Sequence, residues 1–119
     1  MSEDKLSKLQ SKEQELVRKT EQLQAEERQV HRVKEGYVDH FRRSQHFFSD
    51  LQEHFRKHEG SCRFEELSIE FRRQSNKLME GFEAGSQALK KERRQHEDAL
   101  DDVLRSKQRL RQKEKESDQ

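Results

Sequence analysis

Read in steps of seven, the apolar residues of the first half of the chain fall on two ladders. Leu9, Leu16, Leu23, Val30, Tyr37 and Leu51 occupy one, with Ser44 as its polar rung. Leu6, Phe41, Phe48 and Phe55 occupy the companion, where Glu13, Thr20, Glu27 and Lys34 take the remaining places. Apolar residues alternating at three- and four-residue steps form the a/d seam of a long helix. The second half repeats the pattern. Phe64, Phe71 and Leu78 begin one ladder, continued by Gly85, Glu92 and Ala99. Phe82, Leu89, Val103 and Leu110 mark the other, with Ser68, Ser75 and His96 as polar rungs.

Between the halves lies His58-Glu59-Gly60-Ser61. Glycine commonly follows a helix C-terminus with a positive φ. Ser61 is the expected cap of the next helix, and Glu65 and Glu66 are expected in its first turn, where the helix dipole favours acids. Folding the chain at Glu59–Gly60 makes facing residue numbers sum to 119. Phe55 then meets Phe64, Phe48 meets Phe71, Phe41 meets Leu78, Tyr37 meets Phe82 and Leu16 meets Val103. The expected fold is all-α: two long antiparallel helices forming one coiled-coil-like hairpin. Its first arm covers about residues 5–57, its turn about 58–61 and its second arm about 62–115.

The layers of this register set an expected gradient. Near the turn the stacked Phe and Leu side chains would each contribute roughly 1.5–3 kcal/mol if fully buried. Farther away, Glu27/Glu92, Leu23/His96 and Glu13/Ser106 contribute little or repel. The hairpin is therefore expected to be firm at the turn and loose toward its ends. Gly36, Gly81 and Gly85 fall at one level, which suggests a kink or a close backbone approach beside Tyr37 and Phe82, or else a hinge or a docking notch for a partner.

Composition narrows the function. Charged residues make up 43% of the 119 residues, hydrophobic residues 27%, and proline is absent. That is too little apolar material for a thick core, and proline-free, Glu- and Lys-rich sequence favours long helix. No apolar run approaches the roughly 20 residues of a membrane span, and no signal-peptide pattern opens the chain. A cytoplasmic protein is expected. Lys plus Arg is 26 and Asp plus Glu is 25, mixed along the chain, so no nucleic-acid partner is expected.

Little chemistry is encoded. His54 and His58, four residues apart, and Cys62 past the turn could assemble three zinc ligands, but the pattern supplies no fourth, and solvated histidines are the preferred reading. No phosphate loop, metalloprotease helix or nucleophile elbow occurs. The expectation is no enzyme, no cofactor and no metal. Several apolar residues miss the seam: Val33, Val38, Phe47, Ile69 and Met79. On so thin a hairpin they suggest either a second stripe, for a helical partner or for self-association, or a widened intramolecular stripe. Val38 and Phe47, with Asp50 three residues beyond Phe47, are the candidate partner-binding residues.

A helical hairpin of this size, bent once at Gly60, resembles the WXG100-like proteins of type VII secretion. More narrowly it is similar to the small accessory proteins encoded beside LXG-domain toxins. His58-Glu59-Gly60 stands where those proteins carry Trp-x-Gly. Phe47-Phe48-Ser49-Asp50 lies close to the Phe-xxx-Asp motif of some toxin partners. Tyr37 is the only tyrosine, so no Tyr-xxx-Asp/Glu export signal follows the second helix. The resemblance implies a targeting factor or chaperone that binds the N-terminal domain of an LXG toxin, alongside a second small helical accessory protein. It also implies co-export with that partner as an extension of a cytoplasmic role. The alternative is a homodimeric structural or regulatory coiled coil, or a FliJ-like export-apparatus stalk.

Overall fold

A computed structural model describes residues 2–117, apart from the side chains of Ser2 and Ser61. The chain is an antiparallel helical hairpin of two long helices, α1 (Ser2–His54) and α2 (Ser61–Ser117). It divides into two compact units. A terminal unit joins Met1–Glu27 with Ala88–Gln119, and a turn unit comprises Arg28–Gln87.

The turn departs from expectation. No described residue, glycine included, has a positive φ. Instead the chain leaves α1 by tightening. Phe55 N–H still donates to Leu51 O at 3.0 Å, and His58 N–H donates to Phe55 O at 2.9 Å. Gly60 O accepts from Arg63 N–H at 3.1 Å, so Gly60 opens α2 rather than closing α1. With α2 beginning at Ser61, Glu65 and Glu66 fall beyond its first turn, which holds no acid. The expected Ser61 side-chain cap lies outside the described residues.

The turn unit is built on rings. Phe55 stacks on Phe64 with centroids 5.2 Å apart, Phe48 meets Phe71 at 5.3 Å, and Tyr37 meets Phe82 at 5.4 Å. These three are the predicted pairs, but Phe41, expected against Leu78, meets Phe71 edge-on at 5.8 Å. None of these rings is buried, because two helices cannot enclose a Phe on all sides.

The second helix holds a phase shift that heptad reading missed. Its covered positions run Phe64, Ser68, Phe71, Ser75, Met79, Phe82, Ser86, Leu89 and Arg93. Two consecutive four-residue steps, from Phe71 through Ser75 to Met79, advance the stripe by one residue. Such a stutter locally unwinds a coiled coil. Met79 therefore turns inward, and Leu78 is left exposed at the edge. Beyond it Ser86 and Arg93 take the places expected of Gly85 and Glu92.

That shift overturns the expected gradient. In the terminal unit Glu27 faces Arg93, not Glu92, and Glu13 faces Lys107, not Ser106. The best-buried apolar residues, Leu16, Leu23 and Val103, also lie in this unit rather than among the aromatic layers. Ser68 is the one buried residue of the turn unit among those described.

The expected close approach at the glycines is not there. A methyl group added at Gly36, Gly81 or Gly85 would meet nothing within 4 Å. Glycine in a helix interior costs about 0.5–1 kcal/mol relative to Ala. Gly81→Ala and Gly85→Ala are each expected to stabilise the hairpin by about that amount, as read by thermal melting. A loss of stability at either site would show that the helix there depends on glycine.

Candidate functional site

The charged groups in the seam, and Thr20, find partners within the chain. Arg93 Nε donates to Glu27 Oε2 at 2.6 Å and its Nη2 to Glu27 Oε1 at 3.4 Å, while Nη1 reaches Glu97 Oε1 at 2.9 Å. Glu27 foremost, then Glu97, holds the Arg93 guanidinium charged even further above its usual range. Lys107 Nζ donates to Glu13 Oε2 at 2.6 Å. Thr20 Oγ1 donates to Leu16 O at 2.8 Å, the back-bond that lets a hydroxyl sit inside a helix seam. Lys34 lies 3.7 Å from Glu83. Each of the four polar residues on the companion ladder of α1 thus has a partner.

The histidines near the turn serve packing. His54 meets the Phe55 ring edge-on at 4.9 Å, and His58 meets it at 5.5 Å. Cys62 is a free, exposed thiol. Among the described residues no three His, Cys, Asp or Glu side chains gather to hold a metal ion.

What the turn unit offers instead is exposed apolar surface. Phe47 is 60% exposed, and Val33, Tyr37, Leu67, Ile69 and Leu78 are exposed as well. Val33, Tyr37, Phe47 and the half-buried Leu51 share one side of α1, at steps of four, ten and four residues. On α2, Leu67 and Leu78 are eleven residues apart, close to three full turns, and so share one side too. Leu78 lines an open groove of about 590 Å³ with Phe41, Phe71 and Gln74 and the charged Glu70, Arg73 and Lys77. Phe47 rests its ring edge on Phe48, with centroids 6.0 Å apart, so its base is packed while its outer face is free.

The predicted partner-binding residues do not form one surface. Val38 and Phe47 are nine residues apart, which sets them about 180° apart around α1. Val38 is half-buried in a second groove, of about 480 Å³, with Phe41, Gln45, Ser75 and Met79. Asp50 is exposed and stands nearer the Phe47 side. Leu67 and Leu78 were missed because they sit at or beside expected seam positions. The stutter is what turns Leu78 outward.

A family model described as a protein of unknown function, DUF3958, matches residues 4–117. No curated protein and no solved structure matches the chain.

Proposed function

The chain belongs to the DUF3958 family, and we propose that this member is a non-enzymatic helical adaptor or chaperone whose Phe47 face docks a helical partner. The supporting observation is the line of exposed apolar side chains, Val33, Tyr37, Phe47, Leu67 and Leu78, on a hairpin whose own seam is already filled. Surfaces of this kind mark protein interaction sites more often than free solvent faces. An amphipathic helix laid along such a groove reads it through anchors three, four and seven residues apart.

The finer proposal follows the resemblance to accessory proteins of LXG toxins. In it the partner is the helical N-terminal domain of such a toxin, and the adaptor delivers it for type VII export, acting in the cytoplasm and leaving with its cargo. Among the described residues no helix is long and apolar enough to cross a membrane, which fits an adaptor that works in water.

Phe47→Ala should leave helicity and melting of the isolated chain nearly unchanged, since the ring is mostly in solvent. Capture of a co-expressed LXG-toxin N-terminal domain is expected to weaken by about tenfold or more, as for apolar anchors central to an interface. Asp50→Ala is expected to weaken capture less. Undiminished capture by Phe47→Ala would remove the proposed face. A clean homodimer that Phe47→Ala splits, with no toxin capture by the wild type, would favour the self-associating coiled coil.

A further inference from the structure

The opposite side of the turn unit carries a second groove, which differs from the first, with its Glu70, Arg73 and Lys77, in presenting arginines without a carboxylate. Val38, Phe41 and Met79 form the half-buried apolar floor of a groove between α1 and α2. Gln45 and Asn76 add amide groups, and Arg42 and Arg72 stand on its two walls, one from each helix. No carboxylate lines it. Arg72 makes no ion pair among the described residues. Arg42 has only Asp39, at 4.0 Å, with both side chains about two-thirds exposed. An ion pair that open contributes little, so both guanidinium groups remain available.

The groove is itself a product of the stutter. In an uninterrupted heptad pattern Leu78 would fill the seam opposite Phe41 and Met79 would point away. The extra four-residue step turns Met79 toward Val38, and the pliant thioether side chain floors a gap that a branched residue would plug. Methionine is well suited to surfaces that must accept another side chain.

We propose that this groove receives an acidic amphipathic helix from a partner protein. The apolar anchor of that helix enters between Val38 and Met79, and its flanking carboxylates bind Arg42 and Arg72. Arginine favours this role because its planar fork can hold a carboxylate through two parallel hydrogen bonds. Two arginines on opposite walls select an acid on each side of the anchor, and an anchor flanked so is what an acidic amphipathic helix presents. A nucleic-acid backbone would meet an apolar floor it cannot use, on a chain of net charge +1. An anionic membrane surface would meet a groove, not a protruding apolar edge. The proposal rests on the adaptor reading only in treating the turn unit as a docking module, and the residues that distinguish it, Val38, Arg42, Arg72 and Met79, do not belong to the Phe47 face.

The test uses the full chain and two synthetic amphipathic helices. Both carry leucine at the same heptad positions. One has glutamate and the other lysine beside the leucines, and titration calorimetry reads the binding. The glutamate peptide should bind at least about tenfold more tightly than the lysine peptide, a difference within the reach of close charge pairs. The Arg42→Glu/Arg72→Glu double variant should invert that preference while keeping wild-type helicity by circular dichroism. Phe47→Ala should leave the preference intact. Equal affinity for the two peptides, binding of neither, or a preference that survives the double reversal would overturn the proposal. So would three further results: loss of glutamate-peptide binding in Phe47→Ala, which would move the site to the other face; tighter binding to phosphatidylglycerol vesicles than to the peptide; or self-association that the double reversal abolishes, which would make a second copy the occupant. Toxin capture by the Arg42→Glu/Arg72→Glu variant separates the two readings. Retained capture leaves the Phe47 face standing whatever the peptides show.

Discussion

Truncating Leu23 to Ala is expected to cost the hairpin about 2–5 kcal/mol, the range for large-to-small changes at buried sites. Urea unfolding followed by helical circular dichroism measures it. Leu23 is 7% exposed, in the same unit as Leu16 at 8% and Val103 at 4%. In a two-helix structure no further layer can move in to fill the space a shortened side chain leaves. Phe48→Ala is expected to cost less than Leu23→Ala, although it removes more atoms, because the Phe48 ring is only half covered. Leu67→Ala is the control. It is 50% exposed and should fall within about 0.5 kcal/mol of wild type. A Leu23→Ala loss as small as that of Leu67→Ala would restore the picture of a chain held chiefly by its aromatic end.

The contrast between Leu23 and Phe48 shows where the sequence was legible. Heptad ladders place the Phe55–Phe64, Phe48–Phe71 and Tyr37–Phe82 pairs, because rings spaced by seven on two facing helices have one geometry available, but not the contact of Phe41 with Phe71. They also fix the hairpin, since the glycine break and the mirrored apolar order agree. Two physical details escaped them. One is the stutter. Phe71, Leu78 and Gly85 look like a continuing ladder, yet Met79 and Phe82 offer a better inward stripe once the step changes. A ladder read by residue type cannot weigh Leu78 against Met79, which are nearly equal in apolar size. The other is the sign of the distal layers. A one-residue shift along α2 converts Glu27 against Glu92 into Glu27 against Arg93, and repulsion into an ion pair.

The candidate sites divide in the same way. Phe47 was recoverable because a large ring beside the seam residue Phe48 has nowhere inside to go. Val38 was recoverable as an off-ladder apolar residue. That the two lie on opposite sides follows from their nine-residue separation and needed no coordinates. Arg42 and Arg72 stand in the sequence only as members of the basic pairs Arg42-Arg43 and Arg72-Arg73. Their opposition across an apolar floor depends on the position of Met79, and so on the stutter. Nothing in the residue types names a partner. The link to LXG toxins rests on resemblance in architecture, whereas the Phe47 face rests on exposed apolar side chains and the second groove on exposed arginines over a half-buried floor.

The seam pair Glu13–Lys107 leads to the second large expected effect. Lys107 is 12% exposed and Glu13 28%, with 2.6 Å between Nζ and Oε2. Lys107→Ala strips the carboxylate of this partner inside a narrow seam and is expected to cost about 1.5–3 kcal/mol, the range for a hydrogen bond to a charged group. Replacing both residues, Glu13→Leu with Lys107→Leu, removes two desolvated charges together and adds apolar contact. That double variant is expected to match or exceed wild-type stability, by up to about 1–4 kcal/mol. The charged pair then has another role. Leucines on a heptad seam tolerate shifted registers and foreign partners, whereas Glu13 opposite Lys107 and Glu27 opposite Arg93 fit one antiparallel alignment. The double variant should therefore gain stability and lose uniqueness, sedimenting as a mixture of association states where the wild type gives one. Stability as low as that of Lys107→Ala would show that the ion pair itself holds the terminal unit together. Unchanged sedimentation with raised stability would remove its role in selecting the register.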